Sequence, residues 1–189
     1  MKDDVRKDLI NLRKNLSKNE VLEKSNKIKN RIFNMKEYKK SSTILFYVSY
    51  DNEVYTHDMI KDSIKNKKNV VVPITDKKNK ILILSKLESW DELVNGAYNI
   101  LEPKIEKIKE ISIDNLDLII VPGIGFDENG NRIGHGKGYY DNLLRKSISQ
   151  TIGLAFEFQI IKNIPIEKHD IPLDKIVTEK RIIICKKSK

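Results

Sequence analysis

LDLIIVPGIGFDENGNRIGHGKGYYD, residues 116–141, joins the most apolar run of the chain to its densest cluster of glycines. Residues 116–121 read as a buried strand. Gly123 and Gly125 follow, then a tight loop at residues 127–131, because Asn129-Gly130 favours positive φ. Gly134, Gly136 and Gly138 alternate around His135 and Lys137, and a helical pattern starts at Tyr139. Six of the chain's eight glycines lie between Gly123 and Gly138. Glycine allows positive φ and close approach of backbone to a ligand. Amide N–H groups that lead into a helix N-terminus form a ready anion site. The stretch therefore reads as a phosphate cradle, with Lys137 and Arg132 beside it. In open parallel sheets ligands bind beyond the carboxyl ends of the strands, so a strand that runs into such a loop also bears on fold class.

Working outward, residues 139–145 read as a helix and residues 151–156 (TIGLAF) as the next strand, which completes a βαβ unit. Upstream, residues 43–48 (TILFYV) read as a strand and Thr56 as the N-cap of a helix carrying Met59, Ile60 and Ile64. Residues 70–73 (VVVP) are the following strand, so this is a second βαβ unit with parallel pairing and a right-handed crossover. Residues 81–84, 175–178 and 182–185 read as further short strands. At the N-terminus Val5, Leu9, Leu12 and Leu16 mark an amphipathic helix over residues 2–16. Ser17 to Glu20 is a capping-box pattern before a second stripe of Val21, Ser25, Ile28, Ile32 and Met35. Ser25 reads there as a small residue at a helix contact. Ser89 to Glu92 is another capping box, opening a short helix that ends by Gly96. Residues 98–103 read as extended or looped, and residues 104–115 as a charged surface connection. No repeat or Pro- or Ser-rich linker divides the chain, so one α/β domain over residues 1–189 is expected.

The chain has 189 residues, 39% of them hydrophobic and 33% charged, which suits one soluble domain with a single core. No apolar run is long enough to span a membrane, and the charged start MKDDVRKDLI has no signal-peptide core. The lone Cys185 excludes an internal disulfide, offers no metal cluster and reads as core. A cytoplasmic location is the default expectation. The net charge is +9, yet only six of the 36 basic residues are arginines and the lysines are scattered. Nucleic-acid grooves concentrate basic residues with interleaved aromatics, so this pattern reads as a solvated surface and no nucleic-acid partner is expected. The positive field would still attract a small polyanion.

The glycine stretch is not a Walker loop, since Lys137 is followed by Gly138, and its spacing is not the dinucleotide fingerprint. Gly134 and Gly136 leave open a bulge or a packed corner. Asp141, in the first turn of the helix, suits the helix dipole or a ligand role toward Mg²⁺ beside phosphate. Glu53 in a polar turn and Asp170 in a loop read, each alone, as surface acids. His57, His135 and His169 are too dispersed for a metal triad. Tyr139 and Tyr140 are either core or platforms for a flat ring. Three polar segments leave strand ends, residues 49–53, 123–141 and 157 onward, and could converge on one cleft.

On these residues the sequence resembles the 5-formyltetrahydrofolate cyclo-ligase family over nearly the whole chain. The resemblance is carried by Val121-Pro122-Gly123 through Phe126-Asp127, by Gly130 to Gly134 and by Gly136 to Asp141. Lys2, Arg6, Glu53, Ile100, Glu102-Pro103, Asp170 and the segment Asp174 to Glu179 add to it. It implies a single three-layer α/β/α domain with a mostly parallel sheet, similar to the sugar-phosphate isomerase and CoA-transferase group. It implies cyclisation of 5-formyltetrahydrofolate to 5,10-methenyltetrahydrofolate, with ATP as co-substrate and Mg²⁺ as cofactor; separately, a monomer with no membrane partner is expected. By position, Lys2, Arg6, Arg132, Ile133, Gly134, His135, Gly136, Lys137, Gly138, Tyr139 and Tyr140 would bind ATP. Val48, Glu53 and the segment His135, Gly136, Lys137, Gly138 and Tyr139 would meet the folate. Lys137 and Arg132 would act on the moving phosphoryl group, and Asp141 and Asp170 would hold Mg²⁺.

Overall fold

The computed structural model describes residues 2–167 and 170–186; His169 lies outside the described residues. Helix α1 (Lys2–Lys14) leads to α2 (Lys18–Asn34). The predicted capping box is formed: Ser17 Oγ accepts the Glu20 amide, and the Glu20 carboxylate accepts the Ser17 amide. A short α3 (Lys36–Lys40) precedes β1 (Thr43–Leu45), α4 (His57–Lys65), β2 (Asn69–Asp76) and β3 (Ile81–Leu87). A small ribbon of β4 (Leu93–Asn95) and β5 (Leu101–Pro103) follows. Then come β6 (Leu118–Val121), the hairpin of β7 (Gly125–Phe126) and β8 (Arg132–Ile133), and α5 (Tyr139–Lys146). The chain ends in β9 (Gln150–Leu154), β10 (Lys175–Val177) and β11 (Ile182–Ile184).

One seven-stranded sheet has the order β11-β10-β9-β6-β1-β2-β3. Its inner pairs are parallel, and the two edge strands β3 and β11 pair antiparallel. Both expected βαβ units are present. Successive strand residues point to opposite faces, and the core divides accordingly. Ile44, Val70, Leu118 and Ile120 pack with Ile28 and Ile32 of α2 and Met59 and Ile60 of α4. Leu45, Val71, Ile119 and Val121 pack with Leu143 and Leu144 of α5. These two clusters make a three-layer α/β/α sandwich. Each fully buried aliphatic side chain contributes roughly 1.5–3 kcal/mol. A third, smaller cluster of Leu9, Ile124, Ile133 and Ile164 seats α1 against the β7–β8 hairpin.

Several local expectations are corrected. The β1 ladder stops at Leu45, whereas a strand was expected through Val48; residues 46–48 stay buried and Phe46 still donates to the Val71 carbonyl. Thr56 does not cap α4 with its side chain. Its Oγ1 donates to the Tyr47 carbonyl at 2.7 Å and accepts the Ser49 amide at 3.0 Å, which pins the turn after β1. Ser25 does more than allow a helix contact, because its Oγ accepts the Tyr55 amide at 2.8 Å. The Ser89 capping box opens only one 3-10 turn, and the chain then pairs as β4 instead of continuing as a helix.

Gly130 shows where glycine is structural. Its φ is +91°, and a Cβ there would lie 2.4 Å from the Leu173 carbonyl oxygen. Gly130→Ala is expected to destabilise the protein by about 2 kcal/mol or more, read as a lower midpoint in urea unfolding.

Candidate active site

Chain order runs one way across the sheet from β1 to β3 and the other way from β6 to β11, with β1 and β6 adjacent. Segments leaving the carboxyl ends of two such strands diverge and open a crevice. A cleft of about 610 Å³ lies there. Residues 47–53 after β1 and residues 122–141 after β6 form much of its wall, and Lys2 and Arg6 of α1 line it with Glu167 and Asp170. Lys2, Arg6, Val48, Glu53, Arg132, Ile133, Gly134, His135, Gly136, Lys137, Gly138, Tyr139, Tyr140, Asp141 and Asp170 all line this one cleft. The third polar segment contributes through Glu167 and Asp170. Its start at Glu157 turns away to bond Thr178 and Glu179.

The glycine stretch divides into two kinds of glycine. A Cβ at Gly123 would strike the Phe126 ring at 2.4 Å, and one at Gly125 would strike Leu9 at 2.6 Å, so these two serve packing. A Cβ at Gly134 or Gly138 would meet nothing within 4 Å, and one at Gly136 only Arg6 at 3.8 Å. The packed-corner reading of Gly134 and Gly136 is thereby excluded, since their open side is the cleft. Gly136 and Gly138 take φ values of +78° and +73°, and Gly138 is the N-cap of α5 with no side-chain cap. The first amides of α5 therefore face a site where an anion can satisfy them.

Charges are interleaved around this loop. Lys2 and Arg6, one turn apart on α1, both reach the cleft. Lys2 Nζ donates to Asp170 at 2.9 Å and to Glu167 at 3.0 Å. Burial pulls the Lys2 ammonium down, but those two acids outweigh it and hold it above its ordinary value. Arg6 Nε donates to the Gly134 carbonyl at 2.9 Å and also contacts Asp3. Arg132 is buried and donates to Asp141 at 2.8 Å. Burial lowers its pKa against the opposing pull of Asp141, Tyr140 and Asp170. The two residues expected to serve phosphate and metal separately are thus joined in this state. Asp141 and Asp170 sit on one cleft, each beside a cation. Such a set of two carboxylates suits a hard divalent ion that completes its shell with water and phosphate oxygens. Among the described residues no cluster of three His, Cys, Asp or Glu forms a closed metal cage.

The cleft lining also carries aromatic rings. Tyr47, Tyr50 and Tyr140 lie near Glu53 there. Glu53 is 6% exposed, so it is not the solvated turn acid that its polar surroundings suggested. Burial raises its carboxyl to about 7, against the attraction of Arg13 and a hydrogen bond from the Tyr50 amide. The Tyr140 hydroxyl is buried without a hydrogen-bond partner, and burial and Glu53 raise its pKa. His135 Nε2 lies 3.1 Å from the Tyr50 hydroxyl. Its pKa is lowered by burial and then by Arg13 and Arg6, so the neutral ring dominates at pH 7.

Arg13 was missed by the sequence reading. The apolar stripe placed Leu12 inward, but Leu12 is 50% exposed and Arg13 is 2% exposed. The spacing from Leu9 to Arg13, one helical turn, was the available signal. Tyr98 and Glu102 also line the cleft without having been assigned a role there. Glu102 is buried and accepts the Thr75 amide at 2.8 Å, which holds the β4–β5 ribbon over β2.

Glu53 yields a stability prediction. Its folded pKa, about 7, lies above its ordinary value of 4.5. The folded state therefore binds the extra proton between those values, and stability falls as pH rises through them. Glu53→Gln removes that fall. Relative to wild type the variant should gain on the order of 2–3 kcal/mol between pH 4.5 and 8, measured as the change in unfolding free energy with pH.

The sequence model of the 5-formyltetrahydrofolate cyclo-ligase family matches residues 1–179. The 5-formyltetrahydrofolate cyclo-ligase of Mus musculus is 33% identical over 175 residues, covering 87% of this chain and 86% of that protein. The Haemophilus influenzae protein of the same name is 28% identical over 178 residues, covering 92% and 95%. Among solved structures, the 5,10-methenyltetrahydrofolate synthetase of Aquifex aeolicus matches with a TM-score of 0.87 at 31% identity, over 100% of this chain and 94% of that one. The Mycoplasma pneumoniae synthetase, at 23% identity and a TM-score of 0.76, shares the fold. With a family match spanning all but the last residues and a cleft that gathers the motif residues, the chain belongs to the 5-formyltetrahydrofolate cyclo-ligase family, a family of ligases.

Proposed function

We propose that this protein converts 5-formyltetrahydrofolate and ATP into 5,10-methenyltetrahydrofolate, ADP and phosphate, with Mg²⁺ bound at Asp141 and Asp170. The observation that carries the reading is the mixed lining of one cleft. One set of groups comprises open glycine backbone, a helix N-terminus and the cations Lys2, Arg6 and Lys137. The other is a buried carboxyl group with aromatic rings. The first suits a triphosphate. The second suits the flat, donor-bearing edge of a pterin, which Glu53 would accept while Tyr139 and Val48 flank the ring system.

The formyl oxygen is a poor leaving group. In the proposed sequence it attacks the γ-phosphorus of ATP, and the bond to ADP breaks. N10 of the folate then attacks the formyl carbon, the C–O bond breaks to release phosphate, and N10 gives up its proton as the ring closes. The reaction needs alignment and charge stabilisation more than a strong base. Lys137 would follow the transferring phosphoryl group, and the backbone of residues 134–138 would hold its oxygens. Arg132 would share its charge between Asp141 and the phosphate. Bound Mg²⁺ would offset negative charge on the phosphate oxygens. The working unit is taken to be a monomer in the cytoplasm, with no nucleic-acid or membrane partner. Among the described residues no helix is long and apolar enough to cross a membrane.

The test mixes the protein with MgATP and 5-formyltetrahydrofolate and follows methenyltetrahydrofolate absorbance; absence of an ATP-dependent product overturns the reading. Lys137→Ala should lower kcat by about a hundredfold or more while leaving the unfolding midpoint within about 0.5 kcal/mol of wild type. Gly134→Ala meets no neighbouring atom. It should likewise fold normally yet raise the KM for ATP, because its methyl group would enter the space assigned to phosphate.

A further inference from the structure

Arg13 is the most deeply buried charged residue of α1, 2% exposed, and it does not line the cleft. Its Nη1 lies 3.8 Å from Glu53 Oε1 and its Nη2 3.6 Å from Asp51 Oδ2. Both contacts are too long for good hydrogen bonds, and Nε and Nη1 are buried without any hydrogen-bond partner. A buried guanidinium left in this condition is costly, and such groups concentrate where function requires them. The turn is nevertheless built to keep Arg13 there. Asp51 takes a left-handed φ of 50°. Asn52 Nδ2 donates to the carbonyls of Arg13 and Leu16, which ties the end of α1 to residues 50–53.

We propose that Arg13 is a positioning residue of the site: its guanidinium, held behind the cleft wall, biases the Glu53 carboxyl toward its anionic form and fixes it in place to accept the N–H edge of the folate. This inference rests on the proposed folate reading of the same site. The groups facing Glu53 are Arg13 from α1, Tyr50 and Asp51 from its own turn, Tyr47 from the segment after β1, and Tyr140 from α5. Arg13 is the cation in that set. Without it, burial and the Asp51 charge favour the protonated form of Glu53 at neutral pH and above. A protonated acid presents an O–H toward ligand N–H groups and loses an acceptor.

The test compares wild type, Arg13→Lys and Arg13→Met by the KM for 5-formyltetrahydrofolate from pH 6 to 9. For wild type the KM should rise as pH falls below about 7. For Arg13→Met the midpoint of that rise should move up by about one pH unit or more, with a KM increase of about fivefold or more at pH 7 and little change in the KM for ATP. Arg13→Lys should restore most of the wild-type profile. A fall in kcat or stability with the midpoint unmoved would mean a structural tie only and would overturn the proposal. A second readout needs no substrate: carboxyl carbon NMR of the full-length protein, with the Glu53 signal assigned by its loss in Glu53→Gln. A higher titration midpoint in Arg13→Met supports the coupling even if no methenyl product is ever seen, and an unchanged midpoint overturns it. If Arg13→Met alone does not fold, recovery of folding in the Arg13→Met/Glu53→Gln double variant supports the pairing, and failure to recover overturns it.

Discussion

Strand β6 has no solvent-facing side. Leu118, Ile119, Ile120 and Val121 are each 0% exposed, because helices cover both faces and parallel neighbours occupy both edges. Parallel pairing of β6 with β1 and β9 requires every crossover to return to the same end of the sheet. The loops after β1 and β6 must therefore emerge side by side, at the point where the strand order reverses. The cleft follows from that constraint. Lys2, Glu53, Lys137 and Asp170 are distant along the chain and line one cleft because the segments that carry them meet at this switch point.

Within the cleft, cations and acids are paired mainly with one another. Lys2 is held by Asp170 and Glu167, and Arg132 by Asp141. Partly buried pairs of this kind keep charge in place before a ligand arrives, and they offset some of the cost of concentrating like charges. A polyanion with its metal ion would repartition these contacts: phosphate oxygens for the cations, the divalent ion for the acids. Open backbone at Gly134 and Gly138 would then supply donors that need no reorganisation.

The price appears as unsatisfied polar atoms. Among the described residues, buried side-chain atoms without a hydrogen-bond partner belong to Arg13, Arg31, Arg132 and Tyr140. All but Arg31 belong to the cleft or to the charge directly behind it. Glu53 carries the same signature, a carboxyl held near 7 by burial. The protein is least relaxed where it is proposed to recognise its substrates, which is the usual relation between stability and a preorganised site.

The sequence alone determined most element types, both βαβ units, the capping box at Ser17 and the glycine loop that lines the cleft. These follow from short-range rules: side-chain period, glycine spacing, cap chemistry and a motif contiguous from residue 121 to 141. It did not distinguish Gly123, packed against Phe126, from Gly134, where an added Cβ meets nothing, since both are glycines in one loop. It placed Leu12 inward and overlooked Arg13, because an apolar stripe cannot show that a buried acid waits on another segment. It took Glu53 for a solvated acid, and only the packing of α1 and α5 around residues 50–53 buries it. Convergence, burial and the charge state of Glu53 are properties of contacts between segments far apart in the chain. They depend on dielectric surroundings that no local pattern encodes, and the tertiary structure alone decided them.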